Sequence, residues 1–169
     1  QPIYIIILVC ALILFILAPS ITMYTLDEDV KLLRELGLST LFLVGLFIAV
    51  FSATGAITEE IESKPITTVL SKPVGRPIFV LGKFVGISLA VALAHYIGTG
   101  AYLMAARHGV METASDTLDM PVIFCAIFVL SLTIIISSFF NYSYDWNLQA
   151  SAVITLFIMG SIGLLFLMF

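Results

Sequence analysis

The sequence predicts an all-α membrane protein, a polytopic bundle of transmembrane helices in a single domain, residues 1–169. Hydrophobic residues make up 61% of the chain and charged residues only 11%, whereas soluble domains have about 25% charged residues. Every Asp, Glu, Lys and Arg lies outside five blocks: 1–26, 36–58, 84–106, 120–144 and 146–169. Each block exceeds the roughly 20 apolar residues that a membrane-spanning helix needs. Because lipid offers no hydrogen-bonding partners to the backbone, we expect each block to be helical.

The charge-free blocks and the prolines that interrupt them set the expected bounds of the spans. Pro19 is expected to end the first span after Ala18, and Pro121 suits the first turn of the fourth. The five predicted spans are 3–18, 38–57, 84–106, 120–140 and 148–169. Between the first two spans, Val30, Leu33 and Leu36 recur at helical spacing, which predicts a short amphipathic helix that ends at Gly37.

The longest polar stretch, 58–83, carries the most specific information. Ser63 can cap a helix and Pro65 suits its first turn, so a two-turn helix over about 65–71 is expected. One face of that helix is apolar and consists of Ile66, Val69 and Leu70. A helix this short needs an external surface to stabilise it. On the residues alone, that surface is either another protein or the membrane headgroups.

This stretch resembles the cytoplasmic loop of type 2 ATP-binding-cassette (ABC) transporter permeases. The resemblance is carried by Glu-Ile-Glu-Ser-Lys-Pro-Ile-Thr-Thr-Val-Leu-Ser-Lys-Pro-Val-Gly-Arg at 60–76 and by Leu-Gly-Lys-Phe at 81–84. It extends over roughly residues 27–90. Pro65 departs from the family pattern at the start of the short helix. The family has six spans, so we expect the five visible spans to be five of six. The chain also begins without Met and ends within an apolar run, so we expect it to be part of a longer protein.

The resemblance implies a mechanism in which residues 58–83 form a cytoplasmic coupling loop. Helix 65–71 would rest in a groove of a separate ATP-hydrolysing subunit, and the chain would export a substrate as a dimer with a second permease chain, identical or different. The ATPase-coupling residues implied are Glu59, Glu60, Glu62, Ile66, Val69, Leu70, Lys72 and Arg76. The glutamates would approach basic residues of the ATPase, and the two cations would lie near lipid headgroups of the cell membrane, in bacteria the inner membrane. The alternative is a structural membrane subunit of another complex without transport of its own.

Other classes of function lack the residues that they require. The net charge is −4, and nucleic-acid binding needs clustered Lys and Arg. There is no Gly-rich phosphate-binding loop, no Gly-x-Ser-x-Gly and no His-Glu-x-x-His motif, and these are the signatures of ATP binding and of common hydrolases. Cys10 and Cys125 lie in different spans without metal-ligand spacing and are interpreted as packing residues. We therefore expect neither a cofactor nor catalysis in this chain.

Two features within the spans remain. A row of small residues recurs every fourth position in the third span and is expected to pack against other helices; it consists of Gly82, Gly86, Ala90, Ala94 and Gly98. His95 is the only His within the predicted spans, and ionisable residues inside a membrane are candidates for a functional role. The alternative is a neutral His that is hydrogen-bonded to a neighbouring helix.

Overall fold

The computed structural model describes residues 2–22, 29–62, 76–110 and 117–169. These residues form five helices and no strand, and each helix is long and apolar enough to cross a membrane. The helices are α1 (Pro2–Thr22), α2 (Asp29–Glu62), α3 (Arg76–His108), α4 (Met120–Tyr144) and α5 (Leu148–Met168). The predicted all-α transmembrane fold is confirmed.

The best-packed part of the described chain lies where α1, α2 and α3 meet. Leu8 of α1, Ile48 of α2 and Ala94 of α3 are almost completely buried there, in a cluster that also includes Val153 of α5. Tyr4 connects α1 to α3 directly, because its hydroxyl donates to the carbonyl oxygen of Ala90 at 3.0 Å.

The long helices α2 and α3 extend well past the first described turn of α1. They contain 34 and 33 residues, which corresponds to about 50 Å each at about 1.5 Å per residue. The contact between Tyr4 and Ala90 aligns the start of α1 with a point 14 residues into α3, or about 20 Å along it. The two helices therefore project together toward the segment that joins them.

The prediction of a separate amphipathic helix ending at Gly37 was wrong. Helix α2 runs without interruption from Asp29 to Glu62. The aromatic ring of Tyr102 occupies the space that a Cβ on Gly37 would need. The glycine therefore serves close packing between α2 and α3 inside a helix and does not end one.

The prediction that the first span ends before Pro19 was also wrong. Helix α1 continues to Thr22 with Pro19 inside its last turn. Proline removes one backbone donor, and the hydroxyl of Thr22 donates to the carbonyl oxygens of Ala18 and Pro19, at 3.1 Å each. The last turn is thus closed by a side chain.

Helices α4 and α5 form a tight hairpin. Helix α4 begins at Met120 as expected but ends at Tyr144, four residues beyond the predicted Phe140. Asp145 then adopts a left-handed conformation with φ of 52°. The side chain of Asn147 caps α5 by accepting hydrogen bonds from the backbone N–H of Gln149 and Ala150, at 3.0 and 3.3 Å.

The hairpin attaches to the rest of the bundle mainly through α3. The ring of Tyr96 packs on that of Phe157, with centroids 4.9 Å apart, and its hydroxyl forms a 3.0 Å hydrogen bond with Ser161. At the opposite end from the 63–75 segment, Arg107 of α3 lies 3.5 Å from a carboxylate oxygen of Asp119, which precedes α4. This contact brings the end of α3 close to the start of α4.

Candidate functional site

The projecting ends of α2 and α3 are linked by a lysine. The Nζ atom of Lys83 donates to the carbonyl oxygen of Ala56 at 3.0 Å and lies 5.1 Å from the ring centroid of Phe79. A charged donor on a backbone carbonyl is among the stronger hydrogen bonds. The two helices therefore reach the 63–75 segment as a connected pair.

The predicted coupling residues lie at and beyond the ends of this pair. The backbone of Glu59, Glu60 and Glu62 belongs to the end of α2, and Arg76 is the first residue of α3; their side chains fall outside the described residues. The remaining coupling residues, Ile66, Val69, Leu70 and Lys72, lie outside the described residues altogether, as does the whole of helix 65–71. These assignments stay predictions.

The row of small residues on α3 has different surroundings along its length. Ala94 is completely buried, and a Cβ on Gly98 would lie 2.9 Å from Cδ2 of Leu41. Ala90 accepts the hydrogen bond from Tyr4. By contrast, a Cβ on Gly82 or Gly86 would meet no atom within 4 Å. The row as a whole stays a predicted packing surface. Within the described residues, only its last three members, Ala90, Ala94 and Gly98, contact other helices.

His95 points away from the buried cluster. It is exposed, and its Nδ1 atom lies 3.4 Å from the position of a Cβ on Gly45. Within the described residues, no hydrogen bond to the imidazole ring occurs. The hydrogen-bonded alternative is therefore not observed in the part of the chain that the structure describes.

His95 lines a groove of about 880 Å³ between α2 and α3. The groove is formed by Ala49, Ala53, Phe84, Ile87, Ser88, Val91, Ala92, His95, Tyr96 and Thr99. Our sequence reasoning treated His95 in isolation and missed this surface. The positions 88, 92, 95 and 99 have the i, i+4, i+7, i+11 spacing of one helix face, and this spacing was the signal that could have found it.

A second cavity lies on the other side of α3, between α1, α3, α4 and α5. Its volume is about 500 Å³ and its walls are almost entirely apolar, including Phe15, Met104, Leu130 and Leu164. Among the described residues, no group of three His, Cys, Asp or Glu side chains could hold a metal ion.

A comparison with protein families gives a match to the ABC-2 family transporter protein over residues 3–168. The chain belongs to the ABC-2 transporter family. The match confirms the resemblance seen at 27–90 and extends it across the five helices that the described residues of this ABC-2 permease form. No curated protein and no solved structure gives a significant match.

Proposed function

We propose that this chain couples ATP hydrolysis by a partner ABC ATPase to the export of a substrate across the cell membrane, in bacteria the inner membrane. The membership of the ABC-2 family over nearly the whole chain carries this proposal. The ATPase would bind the loop 58–83, and a second permease chain would complete the transport path. Catalysis of ATP hydrolysis would reside in the partner.

The geometry of α2 and α3 supports transmission of force from that loop. Two paired helices of about 50 Å resist bending far better than an irregular loop segment does. A force applied at 63–75 would therefore move the attached spans as a unit. The hydrogen bond from Lys83 to Ala56 keeps the pair together near the loop. The buried contacts of Ile48 and Ala94 would then pass the movement to α1.

The test of this coupling uses the two faces of the predicted helix 65–71. The double variant Ile66→Asp/Leu70→Asp places carboxylates on the apolar face, where docking into a groove would desolvate them at a cost on the order of a few kcal/mol per charge. The matched control Thr67→Asp/Ser71→Asp adds the same charge to the polar face. The measurements are co-purification of the ATPase with each variant and the rate of substrate-stimulated ATP hydrolysis.

We expect the apolar-face variant to lose the ATPase by about 100-fold or more in affinity, which corresponds to about 3 kcal/mol, and the control to retain it. Both variants should insert into the membrane, because neither changes a span. Equal recovery and stimulation for wild type and the apolar-face variant would refute the coupling role and favour the structural-subunit alternative.

The orientation of the loop has its own test. In a chain without Cys10 and Cys125, a cysteine at Ser71 should react with an impermeant maleimide only from the cytoplasmic side, and one at Thr113 only from outside. The two positions are separated by one span, α3. Labelling of Ser71→Cys from outside would contradict the proposal.

A further inference from the structure

We propose that the groove between α2 and α3 is the surface on which a second copy of this chain packs, with His95 forming a hydrogen bond across the interface. The inference rests on the proposed function in one respect, namely that the transporter contains two permease chains.

The groove lies near the middle of the membrane. Lys83 and Arg107 are the charged residues that flank His95 along α3, so the imidazole lies about halfway across the bilayer.

An imidazole at this depth is unfavourable when it faces hydrocarbon. His95 is nevertheless exposed. Ser88, two turns earlier in α3, is exposed as well, and Thr99, one turn later, is half-buried. The Thr99 hydroxyl donates to the carbonyl oxygen of His95 at 2.8 Å, which leaves its oxygen lone pairs free to accept. Such a group of polar side chains is expected to face protein and not lipid.

The polar groups of the groove favour an identical partner over a charged one. The residues that line it include no Asp, Glu, Lys or Arg, so two copies would not repel each other across a two-fold axis. A neutral imidazole and a hydroxyl are each donor and acceptor at once. These side chains can therefore pair with the same side chains of a second copy, as a two-fold interface requires.

The shape of the groove also suits a partner helix. Ala49, Ala53 and Ala92 are small, and small residues let helix backbones approach closely in a membrane. The residues that line the groove all belong to α2 and α3, and none belongs to α1, α4 or α5. A second chain could thus pack there without displacing any helix of the first.

The experiment measures cross-linking in the full chain in its native membrane, after Cys10→Ala and Cys125→Ala. A cysteine is placed at Ala92, one turn from His95, or at Ser88. The matched control is Ile134→Cys on α4, which is 66% exposed. Ala92 lies fifteen positions before Arg107 and Ile134 fifteen after Asp119, and these two charged residues are in contact, so both cysteines lie at the same depth.

We expect a short bismaleimide to convert the Ala92 and Ser88 variants, but not the Ile134 variant, into dimers that contain only this chain. Equal cross-linking at Ile134, no cross-linking at either groove position, or a cross-link to a different chain would each overturn the inference. Recovery of the ATPase from the same membranes separates the two proposals. Absent cross-links with the ATPase retained refute the interface alone, and groove-specific dimers without an ATPase refute the ATP coupling alone.

A second measurement isolates the role of His95 itself. Dimerisation in lipid vesicles is followed by energy transfer between labelled copies as the lipid is diluted. His95→Leu should weaken the dimer by about threefold or more, the size of an average hydrogen bond between membrane helices, whereas His95→Asn keeps a donor and an acceptor and should restore most of the affinity. Identical affinities for wild type and both variants would overturn the assignment to His95.

Discussion

The two halves of α3 have the same kind of sequence and opposite surroundings. In residues 90–108, Ala94 is completely buried and Ile97 is 7% exposed against α1 and α2. In residues 76–89, Leu81, Phe84 and Leu89 are each at least 60% exposed. The packed half, 90–108, thus buries one face within the described chain, although the face that carries His95 stays exposed. The open half, 76–89, presents an apolar surface to its surroundings. An apolar helix face in a membrane protein does not by itself reveal whether it meets lipid or protein, because both are apolar.

The largest expected effect comes from enlarging a small residue in the packed half. Ala94→Leu forces additional atoms into the contact between α1, α2 and α3, and overpacking of this kind costs about 1–3 kcal/mol or more. Thermal unfolding of the chain in lipid nanodiscs should show a clearly lower midpoint. Val91→Leu, at a partly exposed neighbour, should be milder.

The corresponding experiment in the open half also enlarges a small residue. Gly86→Ala meets no atom of the described chain and removes a glycine from a helix interior, which should stabilise α3 by about 0.5–1 kcal/mol. A midpoint that falls as far as that of Ala94→Leu would show that a partner covers the open half under the conditions of the assay, and the contrast between the halves would not hold.

An effect smaller than that of Ala94→Leu is expected from the hydrogen bond at the boundary between the halves. Tyr4→Phe removes the hydroxyl that donates to the carbonyl oxygen of Ala90, and it should lower the free energy of unfolding by about 1 kcal/mol. Tyr142→Phe is the control, because Tyr142 is 91% exposed and should tolerate the change. Equal midpoints for the two variants would mean that the bond adds nothing to stability.

The smallest effect on stability is expected at Lys83, which belongs to the open half. Lys83→Met keeps the aliphatic stem but loses the hydrogen bond to Ala56, so the ends of α2 and α3 should separate more easily. Spin labels at Thr58 and Val80 should then report a broader distribution of distances. The unfolding midpoint should fall by less than it does in Tyr4→Phe, because these helix ends are mostly exposed. An unchanged distribution would show that other contacts are sufficient to hold the ends together.

Most of the fold was predictable because insertion into a bilayer depends on local composition. The five charge-free blocks locate the five helices of the described part of the chain, and the predicted starts of α4 and α5 agree with the structure. The errors concern where helices begin and end. Gly37 and Pro19, residues of types that usually end helices, lie inside them. Helix α3 begins at Arg76 and not at 84, and α4 ends at Tyr144 and not at Phe140. The Tyr102 ring occupies the space beside Gly37, and the Thr22 hydroxyl donates to the carbonyl oxygens of Ala18 and Pro19 in the last turn of α1.

The candidate site was predictable only in part. The string at 60–76 identified the family without any structure, since it depends on residues that are adjacent in the chain. The groove around His95 was not found, because it combines Ala49 and Ala53 of α2 with residues of α3 that lie more than 30 positions away. Spacing along one helix could have grouped Ser88, His95 and Thr99, but it could not have shown which way they face.

The sequence by itself determined that this protein is a multi-pass ABC-2 permease, because hydropathy and a contiguous loop motif are properties of neighbouring residues. Only the tertiary structure decided which face of each helix is used. The packing of α1 and α5 against α3 determines that Ala94 is buried and Gly86 is open. It also determines whether His95 points into the chain or out of it. The rotation of a helix about its axis changes no local property of the chain, so contacts between distant segments must set it.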